Sequence, residues 1–271
     1  MDTTFLFKLS LSFIVGGSFI VACSMASERL GSTLGGIIGG LPSSIVIVLF
    51  FIAWTGTPLD AVQATNIFPF ALGLTGPFLT VYAFLCHRGL WIALGSAIVT
   101  WFAFSFIIWQ LQIDSFFISS CCLLVLATLS YGLQKQMDLP VDQTVIRPKL
   151  TKRQIIYRGL FAGSIISLSV LLSKISGPLL GGIMAGFPAT FIATLVVIHL
   201  SLGHRFARSL IRPLLLSATI TIMVYIIAVR YTYPLLGLIE GTLISFCISS
   251  ITAYILYRIL KRPRSDIDTT G

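Results

Sequence analysis

Residues 30–44, LGSTLGGIIGGLPSS, recur 146 residues later as residues 176–190, SGPLLGGIMAGFPAT. Seven of the fifteen aligned positions are identical without a gap, and they include Pro42 and Pro188. Both copies continue into long apolar segments. The recurrence indicates that one structural unit is present twice in the chain.

Small residues recur at four-residue spacing in both copies, and on a helix they share a face. In a membrane such a face lets two helix backbones approach closely. We therefore expect these residues to pack helices together. They are Gly31, Gly35, Gly36, Gly39 and Gly40 in the first copy, and Gly177, Gly181, Gly182, Ala185 and Gly186 in the second.

The prolines Pro42 and Pro188 fall at the middle of their apolar segments. A proline inside a helix removes one hydrogen bond and frees the carbonyl four residues earlier, here that of Ile38 or Met184. Hydroxyl side chains can bond to such carbonyls. Two interpretations stay open: helix packing alone, or a substrate path lined by unsatisfied carbonyls. The neighbouring hydroxyl residues are Ser43, Ser44 and Thr190.

The composition is that of a membrane protein. Of the 271 residues, 56% are hydrophobic and only 10% are charged, whereas soluble domains contain about 25% charged residues. Apolar runs of this length suit a bilayer, whose core requires about 20 residues of helix. The net charge of +9 arises from basic residues in loops beside apolar segments, which is typical of cytoplasmic membrane loops. Nucleic-acid binding is not expected.

We predict an all-α polytopic membrane protein with about nine transmembrane helices. Spans one to four align with spans six to nine, and the fifth has no counterpart. The domains are therefore a first four-helix repeat (1–111), a spacer helix with a basic cytoplasmic loop (112–153), a second four-helix repeat (154–261) and a cytoplasmic tail (262–271). The predicted spans are residues 5–25, 31–53, 65–86, 90–111, 115–133, 154–173, 177–200, 213–229 and 235–260.

Because of the fifth span, equivalent spans are five positions apart in the order of spans, which is an odd number. The second repeat should therefore cross the bilayer in the opposite direction to the first. Inverted repeats with interrupted helices at equivalent positions are typical of secondary transporters.

The distribution of Lys and Arg predicts the orientation. An outside N-terminus and a cytoplasmic C-terminus place 15 of the 18 basic residues inside, the exceptions being Lys8, Lys174 and Arg230. Cytoplasmic loops carry such an excess. The expected location is the cell (inner) membrane.

Residues 53–74, AWTGTPLDAVQATNIFPFALGL, follow the glycine- and proline-rich span. They resemble the corresponding segment of the small bacterial inner-membrane family called GlpM-like, which has a single four-span unit. The resemblance covers residues 31–111 and weakens in the second half, where Arg212 stands at the position of Asn66. It implies a duplicated integral membrane protein of unresolved activity and transfers no functional residue.

Two polar residues are further site candidates. Glu240 lies about five residues into span nine, and acidic residues inside membranes usually face a cavity or a partner. It is interpreted either as a proton or cation site, or as a boundary residue, with Arg230 or Lys174 as an alternative ion-pair partner. Asn66 and Thr65 lie at the start of span three. They are interpreted either as a polar site or as part of a helix cap.

Signatures of enzymes and metal sites are missing from the sequence. There is no HExxH, GxSxG or phosphate-loop pattern, so neither an activity nor a cofactor is predicted. The five cysteines form no CxxC pair, and His199 and His204 do not have metal-ligand spacing on one helix face. The lipid bilayer is the expected partner, and a small-molecule or ion substrate and an oligomer stay open.

Two functions from different classes remain. In a small secondary transporter or permease, Pro42, Pro188 and Glu240 should converge on one polar cavity at mid-membrane. In a non-transporting accessory or assembly factor for envelope biosynthesis, the interior should be dry, with a groove facing lipid or a partner.

Overall fold

The computed structural model describes residues 2–29, 41–137, 139 and 151–260. These residues are 91% helical and contain no strand. The helices are α1 (Thr3–Arg29), α2 (Ser43–Thr55), α3 (Pro58–Gly73), α4 (Thr75–Leu85), α5 (Leu90–Leu111), α6 (Phe116–Gln136), α7 (Lys152–Ser176), α8 (Pro178–Ala185), α9 (Ala189–Ser209), α10 (Ile211–Leu236) and α11 (Leu238–Leu260).

The predicted all-α membrane class is confirmed. Within the described residues, eight helical stretches are long and apolar enough to cross a bilayer, and α2 is a shorter apolar helix. Two of the eight stretches are composite: Pro58–Arg88 contains α3 and α4, and Pro178–Ser209 contains α8 and α9. The predicted second span begins outside the described residues, and α2 is its described part.

The third span begins earlier than predicted, at Pro58. The Thr57 hydroxyl accepts a hydrogen bond from the Asp60 backbone N–H at 3.3 Å, and the Asp60 carboxylate accepts one from the Thr57 backbone N–H at 2.6 Å. This capping box, with proline at the first helical position, starts a helix before the apolar run begins. Asn66 therefore lies inside α3 and does not cap it.

Residues 201–212, which lie between predicted spans seven and eight, are helical except for a turn at Leu210. Helix α9 continues to Ser209 through a kink at Gly203, whose φ of 84° is accessible to glycine at little cost. Arg208 donates to the Met137 carbonyl at 3.1 Å, and Arg212 donates to the Gln134 carbonyl. The basic residues thus satisfy carbonyls at the C-terminal end of α6, where four carbonyls lack helical partners.

Helices α1 and α7 pack in close, antiparallel contact. A Cβ atom on Gly17 would lie 2.8 Å from the Gly159 carbonyl oxygen, and one on Gly163 would lie 2.6 Å from the Phe13 carbonyl oxygen. The register is antiparallel because Phe13 faces Gly163 while Val21 faces Gly159. Adding 146 to the numbers of Gly17 and Phe13 gives Gly163 and Gly159. The two contacts are therefore equivalent under the repeat found in the sequence.

The buried interior contains two apolar clusters. One apolar cluster joins α4, α5, α8 and α9, and a second joins α2, α3, α7 and α10. Helix α8 meets α3 through glycines: a Cβ on Gly182 would clash with the Ala64 carbonyl, and one on Gly186 would lie 2.6 Å from the Ala71 Cβ. The residue number increases in both segments from the first contact to the second, so α8 and α3 run parallel.

Candidate functional site

Both prolines stand immediately before a helix. Pro42 precedes α2 with φ −77° and ψ 48°, and Pro188 precedes α9 with φ −78° and ψ 44°. The backbone N–H of Ser43 donates to the Leu41 carbonyl at 2.8 Å, and that of Ala189 donates to the Phe187 carbonyl at 2.8 Å. Each proline is therefore the centre of a tight three-residue turn of the inverse γ type. The two breaks have the same backbone conformation.

The two breaks meet through their first helical turns. The hydroxyl oxygens of Ser44 and Thr190 lie 3.2 Å apart, and these residues are separated by 146 positions. Both side chains are half-buried. Helices α2 and α9 thus bring their N-terminal ends together inside the bundle. We call the region formed by residues 42–44 and 187–191 the paired break.

The prediction that the prolines leave carbonyls unsatisfied is wrong for Pro188. The Met184 carbonyl accepts a hydrogen bond from the Phe187 N–H at 3.0 Å. The helix ends at Ala185 and restarts at Ala189, so Pro188 does not sit in a continuous helix that would need its N–H. The counterpart Ile38 lies outside the described residues.

The paired break presents backbone donors instead. No side chain caps α9, and within the described residues no acceptor is bonded to the backbone N–H of Thr190 or Phe191. The first residues of any helix carry N–H groups without helical partners. Here Phe191 is buried, so water does not replace the missing acceptors easily.

A chain of polar side chains leads from the paired break along α9. The Thr194 hydroxyl donates to the Thr190 carbonyl at 2.8 Å, and Arg158 of α7 donates to the Thr194 hydroxyl at 3.2 Å. Arg158 also has a further interaction. Sequence reasoning counted Arg158 only among the cytoplasmic charges, since its contact with α9 depends on how α7 crosses the bundle.

Two buried side-chain donors have no hydrogen-bond partner, and one of them contacts the paired break. The Trp101 indole is 1% exposed and packs edge to face against Phe187, with ring centroids 5.0 Å apart. The Thr75 hydroxyl is 2% exposed and lies one helical turn beyond Ala71, the residue that meets Gly186. Neither residue was a candidate from sequence.

Asn66 is part of a polar cluster that joins three helices. Arg230 of α10 donates to the Asn66 side-chain oxygen at 2.5 Å and to the Thr65 hydroxyl at 2.7 Å. Asn66 donates in turn to Asp114 at 2.7 Å. The Arg230 guanidinium also lies 4.3 Å from the centroid of the Phe116 ring. Only the tertiary structure brings these residues together, since they are distant in the chain.

Glu240 does not join the paired break. It is exposed in the first turn of α11, so the expected convergence of Glu240 with the prolines is not found. Arg230, proposed as its partner, bonds to Asn66 and Thr65, and Lys174 lies 6.0 Å from the centroid of the Phe5 ring. The position favours the interpretation of Glu240 as a boundary residue.

The candidate packing residues have different roles. Gly182 and Gly186 face α3, and a Cβ on Gly181 would lie 3.0 Å from the Ser169 carbonyl of α7. Gly177 makes no close contact; its φ of 88° shapes the turn between α7 and α8. Ala185 is half-buried against the second apolar cluster. The candidates Gly31, Gly35, Gly36, Gly39 and Gly40 lie outside the described residues.

His199 has a partner that its sequence position did not suggest. Its Nδ1 atom lies 2.8 Å from the Tyr82 hydroxyl, and its ring centroid lies 6.3 Å from that of His204. Within the described parts of the chain, no group of three or more His, Cys, Asp or Glu side chains could hold a metal ion.

Two of the grooves formed by the described residues are not lined by the paired break. One, of about 360 Å³, runs between α4 and α6 and is lined by Thr80, Val81, Phe84, Leu133, Gln136 and Met137. The other, of about 240 Å³, lies near the N-terminus and is lined by Asp2, Thr4, Phe5, Lys8, Thr55 and Lys174. The mid-membrane cavity expected of a transporter is not among them.

Comparison with known proteins gives one partial match. No curated protein and no solved structure is similar to the chain. The GlpM-like resemblance of residues 31–111 therefore stays a prediction. Residues 155–262 match a family described as "Protein of unknown function (DUF3147)". The second half thus contains a DUF3147 domain, and the chain is a multi-helix membrane protein.

Proposed function

We propose that the chain is a small secondary transporter or permease built from two inverted four-helix units, with the paired break at the centre of its path. The observation that carries the proposal is the contact between Ser44 and Thr190, at equivalent positions of two helices that each begin after a proline. Transporters of the inverted-repeat type place their substrate sites at such interruptions near the bilayer midplane.

Three observations support the duplicated unit, and the second of them supports its inversion. First, Pro42 and Pro188 have nearly the same φ and ψ angles. Second, the antiparallel contacts of Gly17 and Gly163 are equivalent to each other when residue numbers are shifted by 146. In addition, the family match at residues 155–262 coincides within one residue with the repeat predicted at 154–261. The match therefore covers one of the two predicted units.

The proposed location is the inner membrane, with the N-terminus outside and the C-terminus in the cytoplasm. Two of the three basic residues assigned outside, Lys8 and Lys174, line the same groove. Arg208 and Arg212, assigned inside, both bond to the C-terminal end of α6. These contacts group the basic residues as the predicted topology does, and the larger number of basic residues in the second set is what assigns its side to the cytoplasm.

Reporters fused to the two termini should lie on opposite sides of the membrane. An alkaline phosphatase fused before Thr3 should be active when exported, and a fluorescent protein fused after residue 260 should fluoresce in the cytoplasm. The odd number of spans is the physical reason. Two termini on the same side would contradict both the span count and the inversion.

Reconstituted protein should carry at least one solute class across liposomes faster than empty liposomes do. The panel should contain polyols, amino acids, organic acids and inorganic salts, with flux followed by stopped-flow light scattering. Ser44→Ala and Thr190→Val should reduce the flux several-fold because they remove the hydroxyls at the paired break. Ser10→Ala removes an exposed hydroxyl that bonds only within α1 and should leave the flux unchanged.

A non-transporting accessory role is the second candidate, favoured by the placement of both grooves away from the paired break. An accessory protein is expected to have a dry interior, and Leu49, Phe78 and Leu195 are completely buried in the bundle. If no solute in the panel crosses faster than in empty liposomes, the accessory role replaces the transporter proposal.

A further inference from the structure

We propose that the groove between α4 and α6 binds an anionic phospholipid, with an acyl chain in the groove and the phosphate beside Arg208 and Arg212. The inference goes beyond the proposed function and does not depend on transport. Two observations carry it. The groove is apolar and open to the side of the bundle, and two guanidinium groups bond to the backbone at its end.

The walls of the groove are complementary to a hydrocarbon chain. Its volume is about 360 Å³, and its apolar walls are Val81 and Phe84 of α4 and Leu133 and Met137 of α6. Phe84 is 62% exposed and Leu133 is 54% exposed, so both walls reach the surface of the bundle. In a membrane an apolar surface of this kind faces lipid, and an acyl chain fits it without leaving a polar group unpaired.

The groove lies at one end of two parallel helices. A Cβ on Gly76 would clash with the Ser130 hydroxyl, and four residues later in both helices the Gln134 amide donates to the Thr80 hydroxyl at 3.0 Å. Helix α4 ends at Leu85, five residues after the deepest α4 residue of the groove. At 1.5 Å per residue the groove is therefore about 8 Å deep. This depth corresponds to the boundary between headgroups and acyl chains.

Two guanidinium groups are fixed beside the end of the groove. Arg208 of α9 donates through Nη2 to the carbonyl of Met137, which lines the groove, at 3.1 Å. Arg212 of α10 donates through Nη2 to the carbonyl of Gln134, whose side chain bonds to the groove residue Thr80. In the described part of the chain neither arginine has an ion-pair partner, and their Nη1 atoms are neither bonded nor buried. Each arginine thus keeps a donor available for a ligand.

The charge at this end of the groove favours an anion. The C-terminal end of α6 contributes a partial negative charge of about half an elementary charge, whereas Arg208 and Arg212 contribute two full positive charges. Lys135 in the last turn of α6 is exposed and adds a third. Asp114 lies at the opposite end of α6, where it bonds to Asn66. A positive excess therefore remains beside the groove.

An anionic phospholipid satisfies both halves of this surface. Guanidinium groups bind phosphate well, and basic pockets between membrane helices bind anionic headgroups. A zwitterionic lipid has the same phosphate and chains but adds a cation, which Arg208 and Arg212 repel. In the proposed orientation these arginines lie on the cytoplasmic side, where anionic lipids give the membrane its negative surface potential.

Lipid binding can be measured on purified protein in detergent by native mass spectrometry. Phosphatidylglycerol and phosphatidylcholine with identical acyl chains are titrated separately, and glycerol phosphate serves as the soluble anion. We expect phosphatidylglycerol to bind about tenfold more tightly than phosphatidylcholine, as for a gained interaction with a charged group. Glycerol phosphate should bind far more weakly than phosphatidylglycerol, because it has no chain to fill the groove.

Arginine variants assign the headgroup. Arg208→Met and Arg212→Met should each weaken phosphatidylglycerol binding about tenfold. Arg205→Met removes the same charge from an exposed position of α9 and should change the affinity by less than about twofold. Because the methionine variants also lose a bond to α6, Arg208→Lys and Arg212→Lys are measured beside them. The lysine variants keep the charge and should retain most of the affinity.

A groove variant assigns the acyl chain. Val81→Trp places a large side chain in the groove and should weaken phosphatidylglycerol binding about tenfold, since the chain loses its apolar contacts. Val99→Trp is the matched control: Val99 is 68% exposed on α5 and does not line the groove. Its affinity should equal that of the unmodified protein.

Four results would overturn the lipid site. Equal affinities for phosphatidylglycerol and phosphatidylcholine would exclude selection by charge. An equal loss in Arg205→Met and in the Arg208 and Arg212 variants would assign binding to a general basic surface. Glycerol phosphate binding as tight as that of phosphatidylglycerol would identify a soluble anion as the ligand. Equal affinities of Val81→Trp and Val99→Trp would remove the groove from the site, and this comparison holds even if the methionine variants fail to fold.

Discussion

Gly163→Ala should destabilise the protein by about 1–3 kcal/mol, the usual cost of forcing extra atoms into a packed interface. The new Cβ would lie 2.6 Å from the Phe13 carbonyl oxygen and 3.4 Å from the Gly17 Cα. Both are backbone atoms of α1, so the clash is relieved only if α1 and α7 move apart. The larger variant Gly163→Leu should prevent their packing. SDS-induced unfolding in mixed micelles measures the change.

Gly95→Ala is the matched control for this substitution. Gly95 also lies inside a helix, but a Cβ added there meets no atom within 4 Å. Its unfolding midpoint should stay unchanged or rise, because alanine favours helix over glycine. If Gly163→Ala and Gly95→Ala unfolded at the same SDS concentration, the close antiparallel contact between α1 and α7 would be disproved.

Arg230→Met should lower the free energy of unfolding by about 1.5–3 kcal/mol, the range for hydrogen bonds to a charged group. The substitution removes donors to Asn66 and Thr65 and the contact with the Phe116 ring. It leaves the Asn66 side-chain oxygen without this partner between α3, α6 and α10. The same SDS titration measures the effect.

Arg258→Met separates these contacts from a simple loss of positive charge. Arg258 is exposed near the C-terminal end of α11, and its substitution should change the free energy of unfolding by less than about 0.5 kcal/mol. Arg230→Lys keeps the charge but loses the forked donor geometry, so it should fall between the two. Equal effects of Arg230→Met and Arg258→Met would show that the Asn66 cluster contributes nothing to stability.

Much of the fold could be predicted from the apolar runs and from the positions of glycine and proline. Long apolar runs define membrane helices because unpaired backbone groups cannot remain in lipid. The starts of α3 and of the helical segment after Gly203 were missed because both are amphipathic or polar. Thr57 and Asp60 formed a recognisable capping box, but span prediction depends on apolar content, which is low there.

The candidate site was only partly predictable. Pro42, Ser44, Pro188 and Thr190 were identified because the recurrence marks them in the sequence, and the structure places them around one contact. Their chemistry was misjudged, since a proline within a helix frees carbonyls whereas a proline before a helix exposes N–H groups. Trp101 carries no sequence signal, because a tryptophan in an apolar run looks the same with or without a partner.

The sequence by itself determined the membrane class, the recurring unit and the equivalence of the two prolines, since all three depend on residue type and spacing along the chain. The tertiary structure alone decided that the two prolines each begin a helix, that those helices meet end to end, and that Glu240 lies elsewhere. The physical reason is that hydrogen-bond satisfaction in a buried interior depends on neighbours brought from distant parts of the chain. Spacing along one helix carries no information about them.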